Sequence, residues 1–463
     1  MIYMVIFAGM YALSLMMKMH WLTAVGLTLY LLLTLKQHRR LFDKMHEETK
    51  RFGDAAGYLD TFLYAFVREE KVERTLENVE AALEEGTLRQ KVKDAIDHLH
   101  MTFDESDVMR ESLRIVEKAY PCSRIATVHD FAVHVECYGG AIEHPIRLLL
   151  ADKNRWENRI RLSMKERKKM FSDIIMSIGA SLVICGVILY LPVMDMDISG
   201  NILSQILTAI VVILDERILL QAQKYMAVDW LSLEINDEKE DEAKIRSFYN
   251  YNEKKDRRLS MILTVLSLAA TAVAFFFGKK AFGAIGLLLC VLMANQHRLG
   301  RSLARKNIIK RIKCVFPGWL LDLVLLLQSE NVQVSLNKSK EHAPKILSQD
   351  LNILTDRLLM EPESAEPYHD FLKEFHIPQV HSAMSMLFSI SMGNSSHGDQ
   401  QMGELISRNL EMLDAAETER LKNLCSGMYL LFLAPVVTAS LKLVVDMAVF
   451  MLTFIGGAGL GGL

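Results

Sequence analysis

The sequence predicts an all-α integral membrane protein built as a tandem duplication, and three observations predict it. Apolar residues are concentrated in membrane-sized blocks. The segments between the blocks carry apolar residues at helical spacing, with no strand-like alternation of any length. Finally, short motifs return in the same order about 260 residues downstream. Gln37-His38-Arg39 is echoed by Gln296-His297-Arg298 at an offset of 259, and Lys71-Val-Glu-Arg-Thr-Leu-Glu77 by Asn331-Val-Gln-Val-Ser-Leu-Asn337 at 260. Ala95-Ile-Asp-His-Leu-His-Met101 is echoed by Leu354-Thr-Asp-Arg-Leu-Leu-Met360 at 259, and Tyr120-Pro121 by Ile377-Pro378 at 257. Four weak matches in one order at nearly one offset are hard to obtain by chance.

Residues 1–35 read as a pair of short membrane helices, Met1 to Met17 and Trp21 to Leu35, joined at Lys18 to His20. Each falls short of the roughly 20 residues of a full span. The first positive side chain is Lys18, beyond the first apolar block, so a retained N-terminus is expected rather than a cleaved leader. Lys36, Arg39, Arg40, Lys44, Lys50 and Arg51 then outnumber Lys18, which places the following region in the cytoplasm and turns the hairpin outward.

Residues 36–171 form the first cytoplasmic helical domain. Tyr58, Leu59, Phe62, Leu63 and Phe66 recur at three- and four-residue spacing, as do Leu76, Val79, Ala82 and Leu83; Pro121 and Gly139-Gly140 mark helix ends. A basic helix with Lys153, Arg155, Arg159, Arg161, Lys165, Arg167, Lys168 and Lys169 leads back to the membrane. Residues 172–214 are a second membrane pair, with Pro192 and an Asp195 to Asp197 turn, ended by Asp215-Glu216-Arg217. Residues 215–258 are a charged linker, acidic at Glu238 to Glu242 and basic at Lys254 to Arg258.

The second copy repeats the plan. Residues 259–297 are a membrane pair around a Lys279-Lys280 turn, and residues 298–423 a second cytoplasmic helical domain that opens on Arg298, Arg301, Arg305, Lys306, Lys310, Arg311 and Lys313. Residues 424–463 are a final membrane pair with a glycine-rich tail. Inside that last block Lys442 and Asp446 stand four residues apart, which fits either a buried ion pair or a turn between two short spans.

The second soluble region resembles the inner-membrane platform proteins of type II secretion and type IV pilus machines, especially the paired B and C membrane proteins of Tad pili. The resemblance lies in Phe316-Pro317 opening a helix with Leu320, Leu321, Leu323, Val324, Leu326 and Leu327, then Val332-Gln-Val-Ser-Leu336, Ile377-Pro378-Gln-Val380, Met392-Gly393, Gly403-Glu-Leu405 and Glu417-Thr-Glu-Arg-Leu-Lys422 before a proline-containing span. It covers about residues 314–440, and through the internal repeat about 54–193. The chain departs from the family where glycine usually follows the first helix; here stand Glu70-Lys71 and Glu330-Asn331. The resemblance implies a fused B and C pair in the bacterial inner membrane, homo-oligomeric, on which a cytoplasmic ATPase acts to move pilin-like subunits.

Several chemistries find no support in the residues. No GxxxxGK[ST] phosphate loop is present, and Gly278-Lys279-Lys280 lacks its first glycine, so the chain is expected not to be an enzyme and to hold no cofactor. His129, His134 and Cys137 cluster without a fourth ligand, so a helix core is favoured over a metal site. Six cysteines without a CxxC pair read as reduced thiols. The net charge of −3 says little by itself because charge is segregated along the chain; the basic collars fit anionic lipid or the acids of an ATPase, with lipid and topology the stronger reading, and no nucleic acid is expected as a partner. The candidate partner contacts are His38, Arg39, His297, Arg298, Arg305, Lys306 and Lys310, weighed against simple anchoring of basic side chains at the bilayer interface. The competing function is a transporter built from two parallel repeats, which calls for polar or broken helices near the midplane.

Overall fold

The structure is a computed structural model that describes residues 2–460 apart from 102–104, 141, 189–200, 233–237, 250–252, 277–279, 329, 342 and 394–397. The described residues are helical throughout, with no strand among them. In the first half α1 (Ile2–Met16) turns back into α2 (Trp21–Glu69), followed by α3 (Val72–Ala82), α4 (Thr87–Met101), α5 (Glu105–Ala119), α6 (Ser123–Tyr138), α7 (Glu143–Ile188) and α8 (Ile202–Met226). A bridging helix, α9 (Glu238–Tyr249), leads to α10 (Glu253–Phe276) and α11 (Lys280–Leu326). The second half continues with α12 (Val332–Ser339), α13 (Lys345–Met360), the short α14 (Glu366–Asp370), a 3-10 turn at Lys373–Phe375, α15 (Pro378–Ser391) and α16 (Gly398–Leu460).

The four long helices give the molecule its axis. The 49 residues of α2 and 63 of α16 correspond to about 74 Å and 95 Å at 1.5 Å per residue. Each runs from an apolar end into a charged end without a break. The helix order after α2 and after α11 is the same, and the repeated motifs fall on matching boundaries. Lys71 and Asn331 are the N-caps of α3 and α12, while Met101 and Met360 are the last residues of α4 and α13. The 15-residue α5 is matched only by the five residues of α14 and the three-residue 3-10 turn that follows.

The charged ends of these helices share one core. Phe52, Tyr58, Leu59, Phe62 and Phe66 of α2 belong to the same buried apolar cluster as Ile308, Phe316, Trp319 and Leu320 of α11. Burial along α2 follows the helical period, with Phe52, Ala55, Ala56, Tyr58, Leu59, Phe62, Leu63 and Phe66 forming one stripe that faces the packed neighbours. The two helical regions are therefore parts of one continuous layer. Trp230 and Leu231, in the expected linker, are buried in that same layer. Asp241 of α9 is fully buried against Arg311 of α11 at 2.5 Å, and Glu242 meets Lys345 at 2.9 Å, so the acidic run docks onto the second half.

At the other end the pattern is inverted. Thr34, Ser177, Ser181, Ser204, Gln205, Thr208, Asp215, Glu216, Lys442 and Asp446 are buried between α2, α7, α8 and α16. Leu29, Leu33, Ile184, Ile210, Val437, Leu441 and Val444 point outward and are exposed. The bundle thus holds polar groups inside, among the buried Met10, Met17, Leu27, Cys185, Val212 and Ala439, under an apolar outside. Among the described residues two helices are long and apolar enough to cross a membrane, within Glu143–Gly186 and Gln401–Met451, and shorter apolar stretches lie at Phe7–Met16 and Ser260–Ala269.

Two boundaries differ from the sequence expectation. The helix does not stop at Leu214: α8 continues through Asp215-Glu216-Arg217 to Met226. Tyr30 and His38 of α2 bond Glu216 at 2.7 and 3.2 Å, and Thr438 of α16 bonds Asp215 at 3.2 Å, so the acids face inward without unwinding the helix. The expected membrane pair in 424–463 is a single helix, because no turn occurs at Lys442. That side chain is neutralised within the helix by Asp446, one turn on, and Ser204 of α8 donates to Asp446 at 2.8 Å. Pro192, the Asp195 to Asp197 turn and Lys279 lie outside the described residues.

Candidate functional site

The two halves meet at a charged cleft of about 150 Å³ between α6 and α7 on one side and α11 and α16 on the other. Arg124 is its centre. It sits in the first turn of α6, which Pro121 and the extended Cys122 start at this point, and its guanidinium is nine-tenths buried. Nε donates to Asp152 Oδ2 of α7 at 2.7 Å and a terminal nitrogen to Oδ1 at 3.2 Å, a two-point grip that a planar guanidinium suits. The same side chain reaches across to Glu417 of α16 and lies 5.1 Å above the Trp156 ring.

Further bonds cross the junction. Thr127 Oγ1 of α6 donates to Asp322 of α11 at 3.1 Å. Burial pushes the Asp322 carboxyl up to about 7, against the pull of that hydrogen bond, although the side chain keeps a narrow window onto the cleft. Arg159 of α7 pairs with Asp414 and Thr418 of α16. Lys153 pairs with Asp60 and, at 2.6 Å, with Glu157. Cys314 lines the cleft, and burial holds its thiol above the ordinary range. Acid matches base almost throughout. The arrangement suits holding two halves in one register, with the charges desolvated and thus unforgiving of sliding.

A second buried network lies within the first half. His129 is fully buried, with Nε2 2.7 Å from Tyr58 Oη and Nδ1 2.9 Å from Glu117. A proton on Nδ1 is shared with the carboxylate, leaving Nε2 to accept from the tyrosine. Burial pushes His129 down and Tyr58 well up. Burial pushes Glu117 up too, but the bond and charge of His129 with nearby arginines bring it below its usual value. His134 instead lies against the Tyr138 ring at 5.0 Å and Cys137 is exposed, so the three residues do not converge on one point. Among the described residues, Glu73, Glu77 and His100 do bring three ligand atoms within 4.8 Å of one another, all on the solvent-facing surface of α3 and α4.

The sequence-predicted partner contacts scatter. His38 is taken up by Gln223 at 2.7 Å and Glu216 at 3.2 Å of α8, while Arg39 is exposed beside it. His297 and Arg298 lie in α11, and their side chains are outside the described residues. Arg305 is exposed and donates to the Glu374 carbonyl at 3.0 Å, Lys306 is exposed, and Lys310 pairs with Glu419 at 3.3 Å. The basic collars are thus only partly free. Arg167 is buried under Trp230 and bonds the Tyr225 carbonyl at 2.8 Å, and Arg311 is held by Asp241. Arg124, Asp152, Asp322 and Glu417 were not singled out by sequence as a site, and Glu417 entered only as part of a family-like stretch. No local signal marks them, because Arg124 and Glu417 stand 293 residues apart.

In comparisons with family models, curated proteins and solved structures, nothing matches this chain.

Proposed function

We propose that the chain is an inner-membrane platform protein of a Tad or type IV pilus or type II secretion machine, coupling a cytoplasmic ATPase to the movement of pilin-like subunits. One observation carries this reading: α2, α7 and α16 pass unbroken from an apolar-surfaced region into a single packed helical layer, which α11 also joins. A displacement applied to that layer reaches the other end of such helices as a rigid motion. The inverted bundle supports membrane placement, since side chains that are apolar outside and polar inside suit lipid and not water. The basic excess at residues 36–51, 153–169 and 298–313 supports a cytoplasmic layer. The matching order of helices in the two halves supports a tandem duplication.

The test is charge reversal on the collar. Lys306→Glu alone is the cleanest probe, because Arg305 and Lys310 also serve internal contacts. With Arg305→Glu and Lys310→Glu added, pilus or secretion output should be lost while membrane insertion persists. Normal assembly by the correctly inserted triple variant would place ATPase docking elsewhere. Cysteines introduced at 90 and 345 should resist labelling from outside the cell.

The buried polar groups of the bundle favour a second reading, a transporter of two parallel repeats. Uptake of a small solute by proteoliposomes containing the purified chain alone would support it over the platform.

A further inference from the structure

The platform reading makes no use of the ionisable groups inside the bundle, and Asp215 of α8 is the one without a counter-charge. Its side chain is 2% exposed. Its carboxylate accepts from Thr438 Oγ1 of α16 at 3.2 Å, and Ser181 Oγ of α7 stands at the limit of a hydrogen bond, 3.5 Å away. Among the described residues no lysine, arginine or histidine pairs with it. The nearby cations are committed elsewhere: Lys442 to Asp446, His38 to Glu216 and Gln223, and the largely exposed Arg217 to the Tyr30 ring at 5.7 Å. From α7, Cys185 also faces the Asp215, Lys442 and Asp446 charges.

An ionised carboxylate with two hydroxyl partners and no cation is not stable in a closed bundle, so something positive must accompany it. Hydroxyls from α16 and α7 meet the two opposite oxygens of the α8 carboxylate, so three helices bring oxygen, the donor type a small hard cation takes, around this one side chain. We propose that Asp215, Thr438 and Ser181 form a monovalent-cation site, loaded with a proton or with a metal ion of the sodium type. The cation ties α7 and α8 to α16. Because α16 continues without a break to Asp414 and Glu417 at the interdomain cleft, loading of the site bears on how the two halves are held.

The experiment uses the full chain in lipid nanodiscs, with dicyclohexylcarbodiimide as the probe. A protonated carboxyl gives its proton to a carbodiimide nitrogen while its oxygen bonds the central carbon, and the adduct rearranges to a stable acylurea with no leaving group. Peptide mass spectrometry should find the label on Asp215, and Asp215→Asn, nearly isosteric and neutral, should lose it. The thermal midpoint of the wild type should rise on acidification and on adding sodium chloride beyond an equal concentration of choline chloride, whereas Asp215→Asn should lose the sodium response and keep a smaller acid response, the share that Asp322 supplies. Labelling suppressed by sodium identifies the metal ion, and labelling indifferent to sodium identifies the proton. An Asp215→Asn variant whose midpoint responds to pH and sodium as the wild type does would overturn the proposal. The membrane setting rests on the reading above; were it wrong, the chain would fractionate without detergent, and the Asp215 response would remain measurable there.

Discussion

Replacing Arg124 by methionine keeps an apolar stem over Trp156 and removes the charge that joins Asp152 to Glu417. Three hydrogen bonds between charged partners are lost, each worth about 1.5–3 kcal/mol. Two carboxylates, with side chains 6% and 14% exposed, are then left facing each other without a cation. Water entering the cleft of about 150 Å³ recovers part of this loss. A net destabilisation of about 4 kcal/mol follows, within the range for breaking a buried pair from one side. Urea denaturation of the detergent-solubilised chain, followed by tryptophan fluorescence, reads it directly because Trp156 lies beneath the guanidinium. Adding Asp152→Asn and Glu417→Gln should restore more than half of the loss, since no unpaired charge then remains. Arg124→Lys should recover little, as an ammonium cannot reproduce the two-point grip. A loss below about 1 kcal/mol for Arg124→Met, or full recovery by lysine, would refute the view that this ion network holds the halves together.

Asp322 sets a pH dependence: with a carboxyl at about 7 in the fold and 3.8 as its ordinary value, the folded chain holds the extra proton between those limits. Stability should therefore fall as pH rises from about 4 to about 7 and level off beyond; Asp322→Asn should remove that slope and gain about 2 kcal/mol at pH 8, a figure reduced for the side chain's window onto the cleft. Glu70 caps α2 with φ 53° and ψ 17°, a left-handed backbone that burdens a side chain, so Glu70→Gly should stabilise by about 1 kcal/mol in the same urea assay. Gly427 of α16 lies so close to α8 that an added Cβ would stand 2.5 Å from Tyr225 Oη. Gly427→Ala should accordingly cost about 2 kcal/mol of thermal stability, and Tyr225→Phe should relieve part of it. Arg357→Ala removes only surface pairs with Asp370 and Glu366 and should change stability by less than about 0.5 kcal/mol, a control for Arg124.

The sequence by itself determined the secondary structure and where the apolar faces lie. Tyr58, Leu59, Phe62, Leu63 and Phe66 stand at helical spacing and all are buried, because periodicity is a local property that any packed neighbour satisfies. The motif echoes fell on helix caps and ends for the same reason: Asn331 caps α12 through its own side chain, bonding the Val334 amide at 2.9 Å. What a charge does was decided by the tertiary structure. Asp215-Glu216-Arg217 read as the end of a span, and Lys442 with Asp446 as either a buried pair or a turn, because hydropathy prices a charge by its neighbours in the chain, whereas Glu216 is answered by Tyr30 and His38 and Asp446 by Ser204, between 178 and 242 residues away. The collars read as exposed, yet Arg159, Arg167 and Arg311 are held by Asp414, the Tyr225 carbonyl and Asp241. The cleft around Arg124 exists only once α6, α7, α11 and α16 are packed together. The cost of burying a charge depends on partners that arrive through space, and a linear pattern carries no record of them.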